Sequence, residues 1–271
     1  MVFVSVALRS EAEPIIENFQ LKLEDTKNRF SIYSSDRIKL IITGVGKINS
    51  AIGTAILLNK FKISSNDFIF NIGICGSNDL SKSIGDIFLV HKVTDLATKK
   101  DYYPDVFQSS FREISIVTSD TPVFDSSIFK EKVFVDMESS GFFEASSVFF
   151  GPDRIFIIKI LSDFLEKNSI TKNLIRRLVK ENVLKIEDFL NRRVLSSKTN
   201  PTEESNLLSK KISENFQFTK TQSIQLNKKI ISYNVRNKKL PGFLNKYIDK
   251  KTGSKQEGKT LLKEIFSALE E

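Results

Sequence analysis

The chain of 271 residues has one histidine, one cysteine and no tryptophan, and these scarcities exclude several kinds of chemistry. A single histidine, His91, cannot supply a two-histidine zinc site, and a single cysteine, Cys75, cannot form an internal disulfide or a Cys-x-x-Cys pair. A cysteine–histidine dyad would have to use both residues, and a serine–histidine–aspartate triad would have to use His91. If the protein is an enzyme, carboxylates are its expected acids and bases.

The sequence also lacks a long hydrophobic run, and its first residues do not have the pattern of a leader peptide. No stretch reaches the roughly 18 apolar residues of a membrane-spanning helix. The first residues, MVFVSVALRSEAE, carry no basic region ahead of the apolar ones and become acidic at once. These absences predict a cytoplasmic protein with a reduced thiol and no membrane contact.

The formal net charge of +8 is unevenly distributed along the chain. Residues 1–163 have 18 basic and 21 acidic side chains, a balance of −3, whereas residues 164–271 have 23 and 12, a balance of +11. Residues 196–271 are therefore interpreted as a separate Lys-rich extension, mainly helical or partly disordered. This extension is either a solvated helical cap or a surface for nucleic acid or an acidic partner, whose binding would weaken steeply with salt.

Short apolar runs alternate with helical patterns in the first part of the chain. Runs that are apolar on both faces and separated by helices predict an α/β fold with a central mixed or parallel sheet flanked by helices. The predicted strands are 2–8, 29–35, 37–44, 67–73, 86–95, 114–119, 133–136 and 155–162, and the predicted helices between them are 10–19, 47–61 and 137–150.

Two further amphipathic helices, 172–183 and 185–195, are predicted to close this single three-layer domain. The segment 196–205 is polar and rich in turn residues. The sequence thus predicts one domain over residues 1–195 and the extension over residues 196–271.

Carboxylates follow several of the predicted strands. In open α/β sheets, ligands bind beyond the carboxyl ends of the strands. Glu11 follows the first strand, Glu138 follows 133–136, and Asp163 follows the last. Each carboxylate alone is also explained as a cap of the next helix. The three together, with glycine-rich turns between them, predict a carboxylate-driven site.

Five stretches carry a resemblance to a known family. ALRSEAEPII, ITGVGKINSAIGTAILL, NIGICGSNDLSKSIGDIFLVHKVTD, VDMESSGFFEAS and IKILSD stand in the order and spacing of the nucleoside phosphorylase/hydrolase superfamily. The chain most resembles its 5'-methylthioadenosine/S-adenosylhomocysteine nucleosidase branch, over roughly residues 1–195. The resemblance implies a homodimer without cofactor or metal.

The resemblance also implies roles for the carboxylates in cleaving a purine N-ribosidic bond through an oxocarbenium-like ribose. Asp163 would protonate N7 of the purine and accept from its 6-amino group, which requires a proton held near neutral pH. Glu138 would bind the ribose hydroxyls and stabilise the developing cation. Met137 would pack against the sugar, and Glu11, with Glu13 as the alternative, would activate the attacking water.

The remaining residues expected to bind substrate lie in the same motifs. They are Gly46, Ile74, Cys75, Gly76, Phe124, Asp136 and Ser162. Two stretches depart from the family pattern. Ile74-Cys75-Gly76 replaces the usual Ser-Ala-Gly turn, and Thr121-Pro122-Val123-Phe124 displaces or lacks the aromatic residue that supports the base.

The nucleophile is the main point that the motifs leave open. Phosphorylases of the superfamily bind phosphate with an Arg-x-Gly-Ser/Thr turn, and the equivalent turn here is Asn71-Ile72-Gly73-Ile74. Its composition favours hydrolysis of a 5'-substituted adenosine such as methylthioadenosine, S-adenosylhomocysteine or 5'-deoxyadenosine. Arg9 and Lys47 remain candidate phosphate ligands for a purine nucleoside phosphorylase. A third hypothesis is a non-catalytic nucleoside-binding relative that docks a partner through its basic tail.

Overall fold

The computed structural model describes residues 1–25, 29–106, 109–166, 170–198, 201–216, 218–237, 241–248 and 255–270. By its internal contacts the chain divides into two compact units, Met1–Val194 and Leu195–Glu271. No helix among the described residues is both long enough and apolar enough to cross a membrane.

Within the described residues, the first unit contains one mixed sheet and four α-helices. Its strands are β1 (Val2–Val6), β2 (Lys22–Asp25), β3 (Ser31–Ser34), β4 (Ile38–Ile42), β5 (Phe68–Ser77), β6 (Ile87–Asp95), β7 (Asp101–Tyr102), β8 (Arg112–Thr118), β9 (Phe134–Asp136) and β10 (Ile155–Asp163). Its helices are α1 (Arg9–Asn18), α2 (Lys47–Lys60), α3 (Ser139–Ser146) and α4 (Lys172–Lys198), the last of which continues past the boundary between the units.

Both faces of the sheet are covered, which explains the continuous apolar runs. Val2, Val4 and Val6 of β1 belong to a core that also contains residues of α1 and α4. Phe3, which points to the opposite face, packs in a second core with residues of α2 and α3. The prediction of a central mixed sheet between helical layers, followed by a helical C-terminal segment, is confirmed.

Strand β5 is the centre of the sheet. It pairs in parallel with β1 and β10 and antiparallel with β9. Strands β5, β10, β6, β8 and β9 form a closed circuit of pairings, while β1, β4, β3 and β2 extend from β5 in that order. Because β9 and β10 both pair with the last residues of β5, the sequence motifs that follow these three strands converge.

Several sequence-based assignments differ from the structure. The strand predicted over 67–73 continues to Ser77, so Ile74, Cys75 and Gly76 lie within β5 rather than in a turn after it. They remain extended because their backbones pair with β10, and Gly76 also pairs with Val135 of β9. The polar strand β2 was not predicted, since an exposed edge strand has no apolar alternation.

Another wrong assignment concerns the two amphipathic helices, which form the single helix α4. No glycine or proline separates them, and their apolar residues keep one helical face through Ile175, Leu178, Ile186 and Phe189.

The second unit has its own apolar core. It contains α5 (Pro201–Asn215), α6 (Lys220–Asn237), a short 3-10 helix (Gly242–Tyr247) and α7 (Lys255–Glu270). Pro201 starts α5, which suits a residue without a backbone N–H. Much of the segment predicted as a turn over 196–205 is therefore helical, and residues 199 and 200 lie outside the described residues.

Candidate active site

A cavity of about 270 Å³ opens where β1, β5, β9 and β10 end. Every residue expected from the sequence to act in catalysis or to bind substrate lines this cavity, except Gly46. Gly46 is adjacent, because its backbone N–H donates to Oε1 of Glu138 over 2.9 Å. The structure therefore brings together residues that lie up to 152 positions apart, from Glu11 to Asp163.

Glu11 is held by three backbone groups. Its Oε2 accepts from the N–H groups of Ala7 (3.0 Å) and Leu8 (2.8 Å), and its Oε1 accepts from the N–H of Ile74 at 3.0 Å. Burial raises the pKa of the Glu11 carboxyl, although these N–H groups and Lys159 act in the opposite direction. Glu11 thus caps the start of α1 and also faces the cavity.

Glu138 lies just ahead of α3, and its side chain caps no backbone group of that helix. It accepts instead from the N–H of Gly46 and, at 3.3 Å, from the N–H of Met137. Burial, followed by the charge of nearby Asp136, raises the pKa of Glu138 to about 7. The group therefore changes its charge near neutral pH.

Asp163 is the last residue of β10 and is buried at the cavity wall. Its Oδ2 accepts from the Ser162 hydroxyl at 2.6 Å, and its Oδ1 accepts from the N–H of Leu165 at 2.8 Å. The Ser162 hydroxyl also lies 3.0 Å from the carbonyl oxygen of Cys75 on the neighbouring strand. These contacts fix the direction of the Asp163 carboxyl.

Two glycines of β5 leave space for the carboxylates of Glu11 and Asp163. A Cβ atom at Gly73 would lie 2.9 Å from Oε1 of Glu11, and one at Gly76 would lie 2.8 Å from Oδ1 of Asp163. Real Cβ atoms do not approach neighbours that closely, so any side chain at either position would displace a carboxylate. The glycines are needed for this close approach of side chains to the strand.

Lys159 is a residue of the site that sequence reasoning missed. It is only 1% exposed, and its Nζ lies 2.8 Å from Oδ2 of Asp136. Burial alone would lower its pKa, but Asp136, Glu138 and Glu11 raise it above the ordinary value, so the ammonium keeps its charge. The signal was present in the sequence, because a lysine within the apolar run IFIIKILS needs a buried counter-ion.

Asp136 links this ammonium to the start of α3. Its Oδ2 accepts from the backbone N–H of Ser139, as expected for a helix cap, and its Oδ1 accepts from the Thr118 hydroxyl at 2.8 Å. Asp136 therefore connects β8, β10 and α3 beneath the cavity, whereas the sequence predicted only that it binds substrate.

The single cysteine lines the cavity, whereas the single histidine lies outside its lining. Cys75 lines the cavity but is 2% exposed, and burial raises the pKa of its thiol, so it is a packing group rather than a nucleophile. His91 lies on β6, outside the cavity lining, with its Nε2 3.0 Å from the Ser115 hydroxyl. Phe124, together with Pro122 and Val123, forms one wall of the cavity.

Both cations that the sequence offered as phosphate ligands have partners. Arg9 donates to the Tyr33 hydroxyl at 2.9 Å and to Glu13 at 3.2 Å. Lys47 lies within 3 Å of carboxylate oxygens of both Asp95 and Asp120. None of the described residues that line the cavity is lysine, arginine or histidine. Among the described residues, the charged groups of the cavity wall are therefore all carboxylates.

Comparison with known proteins connects this geometry to a family. No protein-family model matches the chain. It is 27% identical over 190 residues to the 5'-methylthioadenosine/S-adenosylhomocysteine nucleosidase of Buchnera aphidicola, which covers 57% of this chain and 79% of the relative.

Solved structures show the same likeness in the fold. The structure of the Helicobacter pylori 5'-methylthioadenosine/S-adenosylhomocysteine nucleosidase with butyl-thio-DADMe-Immucillin-A superimposes with a TM-score of 0.59 at 14% identity, over 70% of this chain and 97% of that one. The Neisseria meningitidis nucleosidase with methylthio-immucillin-A gives a TM-score of 0.57 at 19% identity, over 72% and 98%. The resemblance seen in the sequence motifs is thus confirmed: this chain has the nucleoside phosphorylase-like fold of these solved structures, and its sequence is similar to that of a 5'-methylthioadenosine/S-adenosylhomocysteine nucleosidase.

Proposed function

We propose that this protein is an N-glycosidase that hydrolyses the N-ribosidic bond of a 5'-substituted adenosine and releases adenine. The observation that carries the proposal is the meeting of Glu11, Glu138 and Asp163 in one cavity, where no lining residue that the structure describes is cationic. The relatives named as nucleosidases support the same activity.

The reaction needs an acid on the purine side and a carboxylate on the ribose side. Asp163, directed by Ser162 and the N–H of Leu165, donates to N7 of the leaving base and accepts from its 6-amino group. Glu138 binds the ribose hydroxyls and, once ionised, stabilises the developing oxocarbenium ion. Met137, which lines the cavity beside it, packs against the sugar.

Glu11 acts as the general base for the attacking water. Its buried position raises its pKa, which makes the ionised carboxylate a stronger base than one in free solution. Both carboxylate oxygens of Glu11 are held in place by the hydrogen bonds that they accept from three backbone N–H groups. Because Glu11 and Glu138 must both be ionised, adenine release should decrease as pH is lowered through about 7, where Glu138 takes up a proton.

Water is favoured over phosphate as the nucleophile by the charges of the cavity. A phosphate dianion needs cationic or hydroxyl donors. Here it would approach four carboxylates, those of Glu11, Asp136, Glu138 and Asp163. Arg9 and Lys47 are already paired with carboxylates, so moving either one to a phosphate would break existing ion pairs.

Incubation with methylthioadenosine, S-adenosylhomocysteine and 5'-deoxyadenosine, with and without phosphate, tests the proposal. We expect free adenine from at least one of them at the same rate in both buffers. Adenine that appears only with phosphate identifies a phosphorylase. Binding of these nucleosides without turnover identifies a non-catalytic relative.

We also propose that a second copy of the chain covers the exposed apolar residues at the start of α2. Ile48 is 70% exposed, Val45 and Ile52 are each 44% exposed, and Val45 also lines the cavity. Sedimentation at micromolar concentration should give a dimer for the wild type and a monomer for Ile48→Glu. Leu184→Glu, at an equally exposed position of α4, is the matched control and should remain dimeric.

The predictions for cellular location and for the C-terminal unit remain proposals. A single buried thiol supports a reducing compartment such as the cytoplasm. Two of the lysine pairs in the C-terminal unit, at 210/211 and 228/229, lie on described helices, and the pairs at 238/239 and 250/251 lie outside the described residues. Salt-dependent binding of the whole chain to single-stranded DNA would favour a nucleic-acid surface there, and no binding at low salt would favour a solvated cap.

A further inference from the structure

The Lys47 ammonium lies between two carboxylates from different parts of the chain. Its Nζ is 2.9 Å from Oδ2 of Asp95, at the end of β6, and 2.8 Å from Oδ1 of Asp120, in the segment that follows β8. The Lys47 side chain is 22% exposed, Asp95 is 5% exposed and Asp120 is 53% exposed. One lysine thus joins a buried carboxylate to a surface one.

The buried end of this bridge leads to Glu138. Asp95 also accepts from the Ser140 hydroxyl at 2.9 Å, in the first turn of α3. That helix begins at Ser139, immediately after Glu138. On the other side, Lys47 is the first residue of α2, and the N–H of the preceding Gly46 donates to Glu138. The bridge therefore fixes both chain segments that hold the Glu138 carboxylate.

The exposed carboxylate, Asp120, lies close in sequence to residues that form one wall of the cavity. Asp120 stands two residues before Pro122, which lines the cavity with Val123 and Phe124. This segment connects β8 to the 3-10 helix Ser126–Ile128. Asp120 is paired with Lys47, which is also paired with Asp95. The ion pairs of Lys47 thus link the wall segment to the segments that hold Glu138.

We propose that Lys47 is a positioning residue of the site, which fixes the wall segment 119–124 and the Glu138 carboxylate at a constant separation. The inference rests on the proposed function, because it assigns Glu138 to the ribose and the wall segment to the rest of the nucleoside. Removing Asp120 and removing Lys47 should therefore have different effects. Loss of the Asp120 pair weakens substrate binding, whereas loss of the Lys47 ammonium also misplaces Glu138.

Steady-state kinetics on the nucleoside that the wild type cleaves separates these effects. Asp120→Asn should raise KM by about two- to fivefold and change kcat less than about twofold, because a half-exposed ion pair is weak. Lys47→Met should lower kcat as well, with a loss in kcat/KM of about a hundredfold, as expected for a displacement on the order of 1 Å. Lys47→Arg, which can still bridge two carboxylates, should recover most of the activity.

Hydrogen exchange measured on the same proteins gives a readout that does not depend on turnover. Amides of residues 119–124 should exchange faster in Asp120→Asn and in Lys47→Met than in the wild type. Lys100→Met is the matched control: its ammonium pairs with exposed Glu144 at 2.9 Å, and neither residue lines the cavity. It should leave the kinetic constants and the exchange of residues 119–124 unchanged.

Several outcomes would overturn the inference. If the amides of residues 119–124 exchanged at the same rate in Lys47→Met as in the wild type, the lysine would not hold the wall. Faster exchange with unchanged KM and kcat would show that the wall does not position substrate. If the wild type released no adenine from any nucleoside, the proposed function would fail, and the exchange data alone would decide whether Lys47 holds this segment.

Discussion

Replacing Lys159 by methionine tests the electrostatic balance of the site most directly. The substitution keeps a long, flexible side chain of similar size but removes the ammonium that lies 2.8 Å from Asp136. Asp136, Glu138 and Glu11 would then be buried together without their cation. Removing one partner of a buried ion pair costs about 3–5 kcal/mol of unfolding free energy.

The expected change in melting temperature follows from the size of the unit. In domains of 150–250 residues, 1 kcal/mol shifts Tm by about 2–4 °C. The first unit, Met1–Val194, falls within this range, so its Tm should decrease by about 6–20 °C at pH 8. The decrease should be smaller at pH 5, because the carboxylates left without a cation can then take up protons.

Thermal unfolding followed by circular dichroism at pH 5 and pH 8 measures both effects. Lys92→Met is the matched control, since Lys92 pairs with Asp101 at 2.9 Å with both side chains 34% exposed. Pairs of this kind contribute about 0–1 kcal/mol, so its Tm should change by no more than about 4 °C. The reasoning would be refuted if Lys159→Met melted like the control, or if its loss of Tm were the same at both pH values.

Three further predictions concern the carboxylates and one glycine. Asp163→Asn should keep the fold, because the amide oxygen can still accept from the N–H of Leu165, but adenine release should decrease by about 10²–10⁴-fold; an active variant would exclude the acid role. The Glu138 carboxyl has a pKa of about 7 in the folded state and an ordinary value of 4.5. Between pH 4.5 and pH 7 the carboxyl is therefore protonated in the folded state and ionised in the unfolded state, so the free energy of unfolding decreases as pH rises through this range. Glu138→Gln should therefore be stabilised relative to the wild type by on the order of 3 kcal/mol at pH 8 and by little at pH 4, a difference that urea unfolding at the two pH values measures. Gly76→Ala would place a Cβ 2.8 Å from Oδ1 of Asp163 and 2.6 Å from a methyl of Leu165, both movable side-chain ends, so kcat should decrease about a hundredfold while urea unfolding shows a stability loss of only about 1–3 kcal/mol.

The limits of sequence reasoning are clearest in Glu11 and Asp136. A carboxylate after a strand is expected either to cap the next helix or to serve a site, and the sequence cannot separate the two. Glu11 does both, since it accepts backbone N–H groups at the start of α1 and lines the cavity. Asp136, which was expected to contact substrate, also lines the cavity, and its side chain contacts Lys159, Thr118 and Ser139.

Lys47 illustrates a different limit. Sequence position placed it after a strand at the mouth of the site, which made it a reasonable phosphate ligand. Its partners are Asp95, the last residue of β6, and Asp120, which follows β8. These two strands lie beside each other because β6 pairs with β8. Ion pairs across such distances depend on the order of strands in the sheet, which local patterns do not specify.

The sequence by itself determined the fold class, the carboxylate character of the site and the residues at the strand ends. It could do so because apolar periodicity, the scarcity of histidine and cysteine, and ordered motifs are local properties of the chain. The tertiary structure decided how these residues meet. Closure of the β5, β10, β6, β8 and β9 circuit brings Lys159 beneath three carboxylates, and the resulting burial and charge, which raise the pKa of Glu138 to about 7, are properties of packing.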